Sequence, residues 1–139
     1  MGHWGVKSYE NDDAGDALDA GFACVHGKAY EDMMDDDNPL TPEQVQAKLA
    51  NIATLNAALE ALNADVDLPV EEWDDVAKLA YVGIVIRHVE LEVPLPIATR
   101  DRAREFLQNE DIDWEEVTMR KLRRDKELRL LDDAKLSTP

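Results

Sequence analysis

Apolar residues recur at helical spacing in several stretches of the chain, and these stretches predict its elements. Between Ala14 and Val25, small or apolar residues occupy positions i, i+3, i+4, i+7, i+8 and i+11, which form one face of a helix. A second apolar stripe runs from Val45 to Leu62 and follows Thr41, which has the spacing of a capping box with Gln44. We therefore predict helices over residues 14–25 and 42–63.

A third helix is predicted at about residues 70–92. It begins with several carboxylates, which favour the positive end of a helix, and its second half, 79–89, is apolar on nearly every side. The β-branched run at 82–86 could instead form a strand, but the acidic start continues into it without interruption. The Val-Pro-Leu-Pro sequence at 93–96 ends the helix. We expect this helix to be central and buried.

Two further helices complete the pattern. One covers about 99–108 and buries Ala103, Phe106 and Leu107; the other begins at Trp114 behind an Asp113 cap. Its apolar side is predicted to hold Trp114, Val117, Leu122, Leu128 and Leu131. The short connections favour antiparallel neighbours. We thus predict one all-α domain over 1–139, with about five helices in a bundle around the 70–92 helix. The remaining segments are an arm at 1–10, an acidic connector at 28–40 and a frayed tail at 135–139.

The composition adds a strong negative charge to this picture. Of the 139 residues, 45% are hydrophobic and 33% are charged, and the net charge is −16. We expect neither nucleic acid nor an anionic membrane surface as a partner, because both carry the same sign of charge. The start of the chain lacks a secretory signal pattern, and Cys24 is the single cysteine, so we expect a soluble, cytoplasmic protein without disulfides.

The charge is unevenly distributed. Residues 1–99 carry 20 acids and 5 bases, and residues 100–139 carry 11 acids and 10 bases. The one basic cluster, at 120–129, is interleaved with acids, so we predict a solvated helix with surface salt bridges. The acidic part favours a protein–protein interaction module, with an inhibitor, immunity-type or adaptor role, that binds a basic partner.

The centre of the predicted connector is the candidate binding segment. It holds two methionines among acids, a combination suited to a basic and apolar surface; the alternative is a flexible loop. The candidate residues are Met33, Met34, Asp35, Asp36 and Asp37. A different alternative is that the acidity only keeps the protein soluble in high salt.

A second class of function is an enzyme or a divalent-metal protein that uses helix-borne carboxylates. Asp12, Asp16 and Asp19 align on one helix face with His26 further along, but one helix cannot surround an ion, so we predict no metal site and no cofactor. The sequence contains no phosphate loop, HExxH or GxSxG motif, and no catalytic residue is assigned. We expect Cys24 to be buried, His26 to lie on the surface, and His88 to act as a cation at a helix end.

The stretch GHWGVKSYENDDAGDALD at 2–19 is the most distinctive one in the chain. Its glycines, aromatic residues and acids suit a structural role, in which Trp4 packs on the first helix near Leu18 or Phe22 and an Asn or Asp caps that helix. These positions are Gly2, Trp4, Gly5, Tyr9, Asn11, Asp12, Ala14 and Asp16. They resemble the opening of an uncharacterised bacterial family, domain of unknown function 4259. The family has no assigned activity, so the resemblance implies kinship alone.

Overall fold

The structure is a computed structural model that describes residues 8–9, 12–33, 35, 37, 39–110 and 117–136, with the side chains at 12, 13, 42, 43 and 65 excepted. Within these ranges, the chain forms seven α-helices and no strand, which confirms the all-α class. They are α1 (Asp12–His26), α2 (Lys28–Met33), α3 (Pro42–Leu49), α4 (Ile52–Val66), α5 (Asp75–Glu90), α6 (Ile97–Gln108) and α7 (Val117–Asp133).

Helix α1 forms where its periodicity predicted it, and its small residues set how closely it packs. Ala14, Ala17, Leu18 and Phe22 are buried on the predicted face. A Cβ atom added at Gly21 would lie 2.6 Å from the backbone nitrogen of Ala58 in α4. Glycine at this position therefore lets α1 and α4 cross with their backbones in close contact.

The predicted single helix over 42–63 is wrong, because two helices occupy this stretch. The first begins with the predicted box, in which the Thr41 hydroxyl accepts from the Gln44 amide at 3.2 Å. A second box starts α4, where the Asn51 side chain accepts from the Thr54 amide and the Thr54 hydroxyl accepts from the Asn51 amide, both at 2.9 Å. Asn51 has extended backbone angles, so the chain turns there while the apolar stripe continues on both sides.

The central helix α5 begins later than predicted. Residues Val70–Glu72 form a short 3-10 helix, the chain is extended at Trp73, and Asp74 then caps α5 by accepting from the Ala77 amide at 2.9 Å. Nine of the sixteen residues of α5 are buried, and the helix contacts α1, α4, α6 and α7. The predicted central position is confirmed, and the 82–86 run is helical rather than a strand.

The C-terminal part differs from the prediction in two ways. The tail predicted to fray from 135 is held at its start, because the Leu95 amide donates to the Lys135 carbonyl at 2.8 Å and Leu95 pairs with Leu136 in a parallel bridge. In α7, the predicted apolar side is correct at Leu131, which is buried, and wrong at Leu122 and Val117, which are 67% and 37% exposed. The buried residues of α7 are Arg120, Arg123, Glu127 and Leu131. The Trp114 start of this helix lies outside the described residues.

Over the described ranges, none of the helices combines the length and the apolar content needed to cross a bilayer.

Candidate functional site

Helix α2 brings a second set of acids beside those of α1. Gly27, with φ of +54°, reverses the chain between the two helices. Tyr30 of α2 is buried, stacks on Phe22 with ring centres 5.6 Å apart, and donates its hydroxyl to the Asp19 carboxylate at 2.7 Å. Burial and this bond to Asp19 raise the pKa of Tyr30. Tyr30 thus fixes α2, which carries the exposed Glu31 and Asp32, against α1 next to Asp19.

The predicted binding segment is only partly a loop. Met33 is the last residue of α2 and is half-buried against the core, so only part of its side chain is accessible to a partner. Asp35 and Asp37 are exposed, and the Asp35 carboxylate accepts from the Asp37 amide at 3.0 Å. Met34 and Asp36 lie outside the described residues.

The structure describes two of the three carboxylates named as alternative metal ligands, Asp16 and Asp19. Asp16 and Asp19 are exposed, and Asp19 already accepts the Tyr30 hydroxyl. The side chain of Asp12 lies outside the described set. In the part of the chain that the structure describes, no group of three or more His, Cys, Asp or Glu side chains is arranged to hold a metal ion.

Cys24 and His26 lie near the C-terminal end of α1. Cys24 is exposed, so the prediction that it is buried is wrong. His26 is partly exposed, and its Nε2 lies 2.7 Å from the Leu49 carbonyl at the end of α3. His26 therefore links the C-terminal ends of α1 and α3 rather than facing solvent alone.

The structure contradicts the prediction that His88 is a cation at a helix end. It is fully buried, with Nδ1 at 2.8 Å from the Ile84 carbonyl and Nε2 at 2.9 Å from the Thr54 hydroxyl. Because the Ile84 carbonyl can only accept, Nδ1 carries the proton of the neutral ring. Burial lowers the pKa of His88 to about 4. The predicted cation at this helix end is therefore a neutral imidazole near neutral pH.

The buried state of His88 should make the protein less stable in mild acid. The unfolded side chain binds a proton near pH 6.5 and the folded one near pH 4, so protons favour unfolding as the pH falls through this window. We expect about 3 kcal/mol of stability to be lost across it. Urea unfolding of the wild type and of His88→Gln over this range measures the difference in slope. Parallel slopes, or an NMR titration of His88 near its ordinary pKa, would contradict the assignment.

Of the eight positions singled out in the N-terminal stretch, the structure describes four. Ala14 is fully buried, Asp16 is exposed, the backbone at Asp12 begins α1, and Tyr9 donates its hydroxyl to Glu90 at 2.6 Å. Burial and the bond to Glu90 raise the pKa of Tyr9. Gly2, Trp4, Gly5 and Asn11 lie outside the described residues, and so does the predicted packing of Trp4. Through Tyr9, the stretch thus forms a hydrogen bond with Glu90 at the C-terminal end of α5.

Sequence reasoning missed a buried ionic network centred on Glu127. The Glu127 carboxylate accepts from the Ser8 amide at 2.9 Å and from the Ser8 hydroxyl in a short hydrogen bond. It also accepts from Arg120 Nη1 at 3.2 Å and from Arg123 Nε at 3.0 Å. Ser8, Arg120 and Glu127 each have no exposed surface. One carboxylate therefore binds two arginines and the N-terminal segment.

Two further glutamates extend the Glu127 network. Arg120 Nη2 lies 2.9 Å from Glu110, and Arg123 Nη2 lies 3.0 Å from Glu90, which also accepts from Tyr9. The prediction of a solvated 120–129 helix is thus wrong for Arg120 and Arg123. Buried charges persist when each one is paired and hydrogen-bonded, as these are. Because Ser8 is fully buried, its hydroxyl serves this network and is closed to a substrate.

Comparisons with known proteins identified no relative: no protein-family model, no curated protein and no solved structure matches the chain. The resemblance of its opening to domain of unknown function 4259 stays a prediction.

Proposed function

We propose that this protein is an acidic interaction module that binds a basic protein, in an inhibitor, immunity-type or adaptor role. The binding surface is the acidic face formed by the exposed carboxylates of α1, α2 and residues 35 and 37. The partner is a protein with a positive surface, and the complex forms with the help of long-range attraction between the two surfaces.

The distribution of exposed charge supports this proposal. Among the described residues from 12 to 75, twelve exposed side chains are acidic and two, Lys28 and Lys48, are basic. The acids are Asp16, Asp19, Glu31, Asp32, Asp35, Asp37, Glu60, Asp67, Glu71, Glu72, Asp74 and Asp75. Because exposed acids outnumber exposed bases six to one in this range, a basic partner would meet few competing cations there.

The buried network around Glu127, near the C-terminal end of the chain, also supports the proposal. Arg120 and Arg123 belong to the basic cluster, yet both are buried and paired with glutamates. Their charges are compensated within the protein, so they do not neutralise the acidic face or form a basic surface for nucleic acid. Arg120 and Arg123 thus stabilise the fold from within, and their charges do not compete with a partner for the acidic face.

We expect neutralisation of the acidic face to slow association. The variant Asp32→Asn, Asp35→Asn, Asp37→Asn removes three exposed charges, and the side-chain amide introduced at position 35 still has an oxygen that can accept from the backbone amide of residue 37. At low salt, the association rate should fall by about tenfold while the dissociation rate changes little, because these charges act during diffusional encounter. The partner is first captured from a lysate and eluted in salt steps, and its kinetics are then measured by surface plasmon resonance.

A matched variant separates location from net charge. Glu92→Gln, Asp125→Asn, Asp133→Asn also removes three exposed charges, but these lie outside α1, α2 and residues 35 and 37. It should retain most of the association rate. Equal rates for both variants, or an association rate that does not depend on salt, would show that the acidity serves solubility rather than recognition of a partner.

A further inference from the structure

A small, partly enclosed cavity lies between α5 and α6, away from α1 and α2. Its volume is about 100 Å³, and Leu79, Val82 and Phe106 contribute apolar walls. A cavity of about 150 Å³ holds one benzene molecule, and drug-sized ligands need about 300 Å³ or more. The cavity therefore excludes a nucleotide or a large cofactor and has room for an aliphatic chain of about five non-hydrogen atoms.

The charged groups around the cavity favour a cation. Three acidic residues, Asp75, Glu105 and Glu110, line the cavity together with one basic residue, Lys78, and the Glu110 carboxylate is bonded to Arg120. The Lys78 Nζ lies 5.8 Å from the centre of the Phe106 ring, so a cation is already accommodated against this wall. Apolar walls with an excess of negative charge suit a ligand that has an aliphatic stem and a positive head.

Glu110 connects the cavity to the ionic network. Its side chain is 11% exposed and it is paired with Arg120. Burial nevertheless raises the pKa of Glu110, which means that its negative charge is not fully compensated for the loss of water. A cation placed in the cavity would compensate part of this remaining cost.

We infer that the cavity between α5 and α6 binds a primary ammonium or guanidinium group on a short aliphatic stem. The source is either a free amine or a lysine or arginine side chain of another protein. The inference goes beyond the proposed function, since a free amine would bind without a protein partner.

The test is an NMR titration of the isotope-labelled protein at constant ionic strength with n-butylammonium, n-butanol and butyrate. We expect n-butylammonium to bind with a millimolar dissociation constant and to shift the amides of α5 and α6 around the cavity. The uncharged alcohol should bind about tenfold more weakly, and the anion should not bind, because the lining carries excess negative charge. Equal binding of the amine and the alcohol, or shifts spread over the acidic face, would overturn the inference.

We expect two substitutions in the cavity lining to change n-butylammonium binding in opposite directions. Glu105→Gln removes an exposed carboxylate of the cavity and should weaken binding several-fold. Lys78→Met keeps a stem against Phe106 but removes the resident cation, so it should tighten binding. Asp125→Asn, an exposed acid of α7, should leave binding unchanged. If all three variants bind like the wild type, the cavity is not the site.

The source of the cation is decided by a blocked Ala-Lys-Ala peptide in the same titration. Shifts at the same amides, lost when the lysine is acetylated, identify a protein side chain as the ligand. Binding of n-butylammonium without the peptide identifies a free amine. Both measurements use the isolated protein, so they fail or succeed independently of the salt-dependent association with a basic partner.

Discussion

Replacing Glu127 with alanine is expected to lower the free energy of unfolding by about 3–5 kcal/mol. The carboxylate accepts from Arg120, Arg123 and the Ser8 amide, and each of these donors is buried. Without Glu127, two charged side chains lose a partner while they stay out of water, and that loss is more costly than the loss of an exposed ion pair. Urea unfolding, followed by fluorescence and circular dichroism, measures the difference.

A control on the same helix separates this effect from a change in helix propensity. Asp125 is exposed in α7, and Asp125→Ala should change stability by less than about 0.5 kcal/mol. Glu127→Gln should fall between the two variants, because the amide oxygen still accepts one or two of the bonds but carries no charge. A loss below about 1 kcal/mol in Glu127→Ala would mean that the network is not a principal contact of the fold.

The second large effect is expected at Gly83 in the middle of α5. A Cβ atom at this position would lie 2.7 Å from the Ser8 carbonyl carbon and from the Tyr9 Cα, and it would clash with the Ser8 carbonyl oxygen. Alanine favours a helix over glycine by about 1 kcal/mol, so Gly83→Ala would stabilise the protein if the space were open. We expect instead a net loss of about 2–3 kcal/mol, because the backbone of Ser8 and Tyr9 must move away.

Hydrogen exchange reports directly on the movement of this segment. The Ser8 amide is bonded to Glu127, and it should lose its protection in Gly83→Ala while the interior of α4 keeps most of its own. The reference is Ala47→Gly at an exposed helical position, which should cost about 1 kcal/mol by propensity alone. Stability at or above that of the wild type in Gly83→Ala would contradict the close contact between α5 and the N-terminal segment.

The two substitutions should also be coupled to each other. Gly83→Ala displaces Ser8, which is one of the groups that Glu127 binds. In the double variant, the loss of stability should therefore be smaller than the sum of the single losses by about 1 kcal/mol or more. Simple additivity would indicate that the N-terminal segment and the Glu127 network act independently.

Local signals in the sequence predicted much of the fold. The α1 face and the Thr41 cap depend on spacings of three and four residues, and the structure confirms both. The break at Asn51 has a local signal too, since Asn51 and Thr54 have the spacing of a cap, but the apolar stripe that continues past it favoured one helix. Where two local signals conflict, the packing of the whole chain decides between them.

The sequence by itself determined the helical class, the strong negative charge and its concentration before residue 100, because these depend on composition and short-range periodicity. Tertiary structure alone decided which face of α7 is buried. The spacing of Arg120, Arg123 and Glu127 is that of a solvated helix. Their burial depends in part on Ser8, which lies 119 residues before Glu127. A buried charge is stable only beside its partners, and partners so distant in sequence become neighbours only when the chain folds.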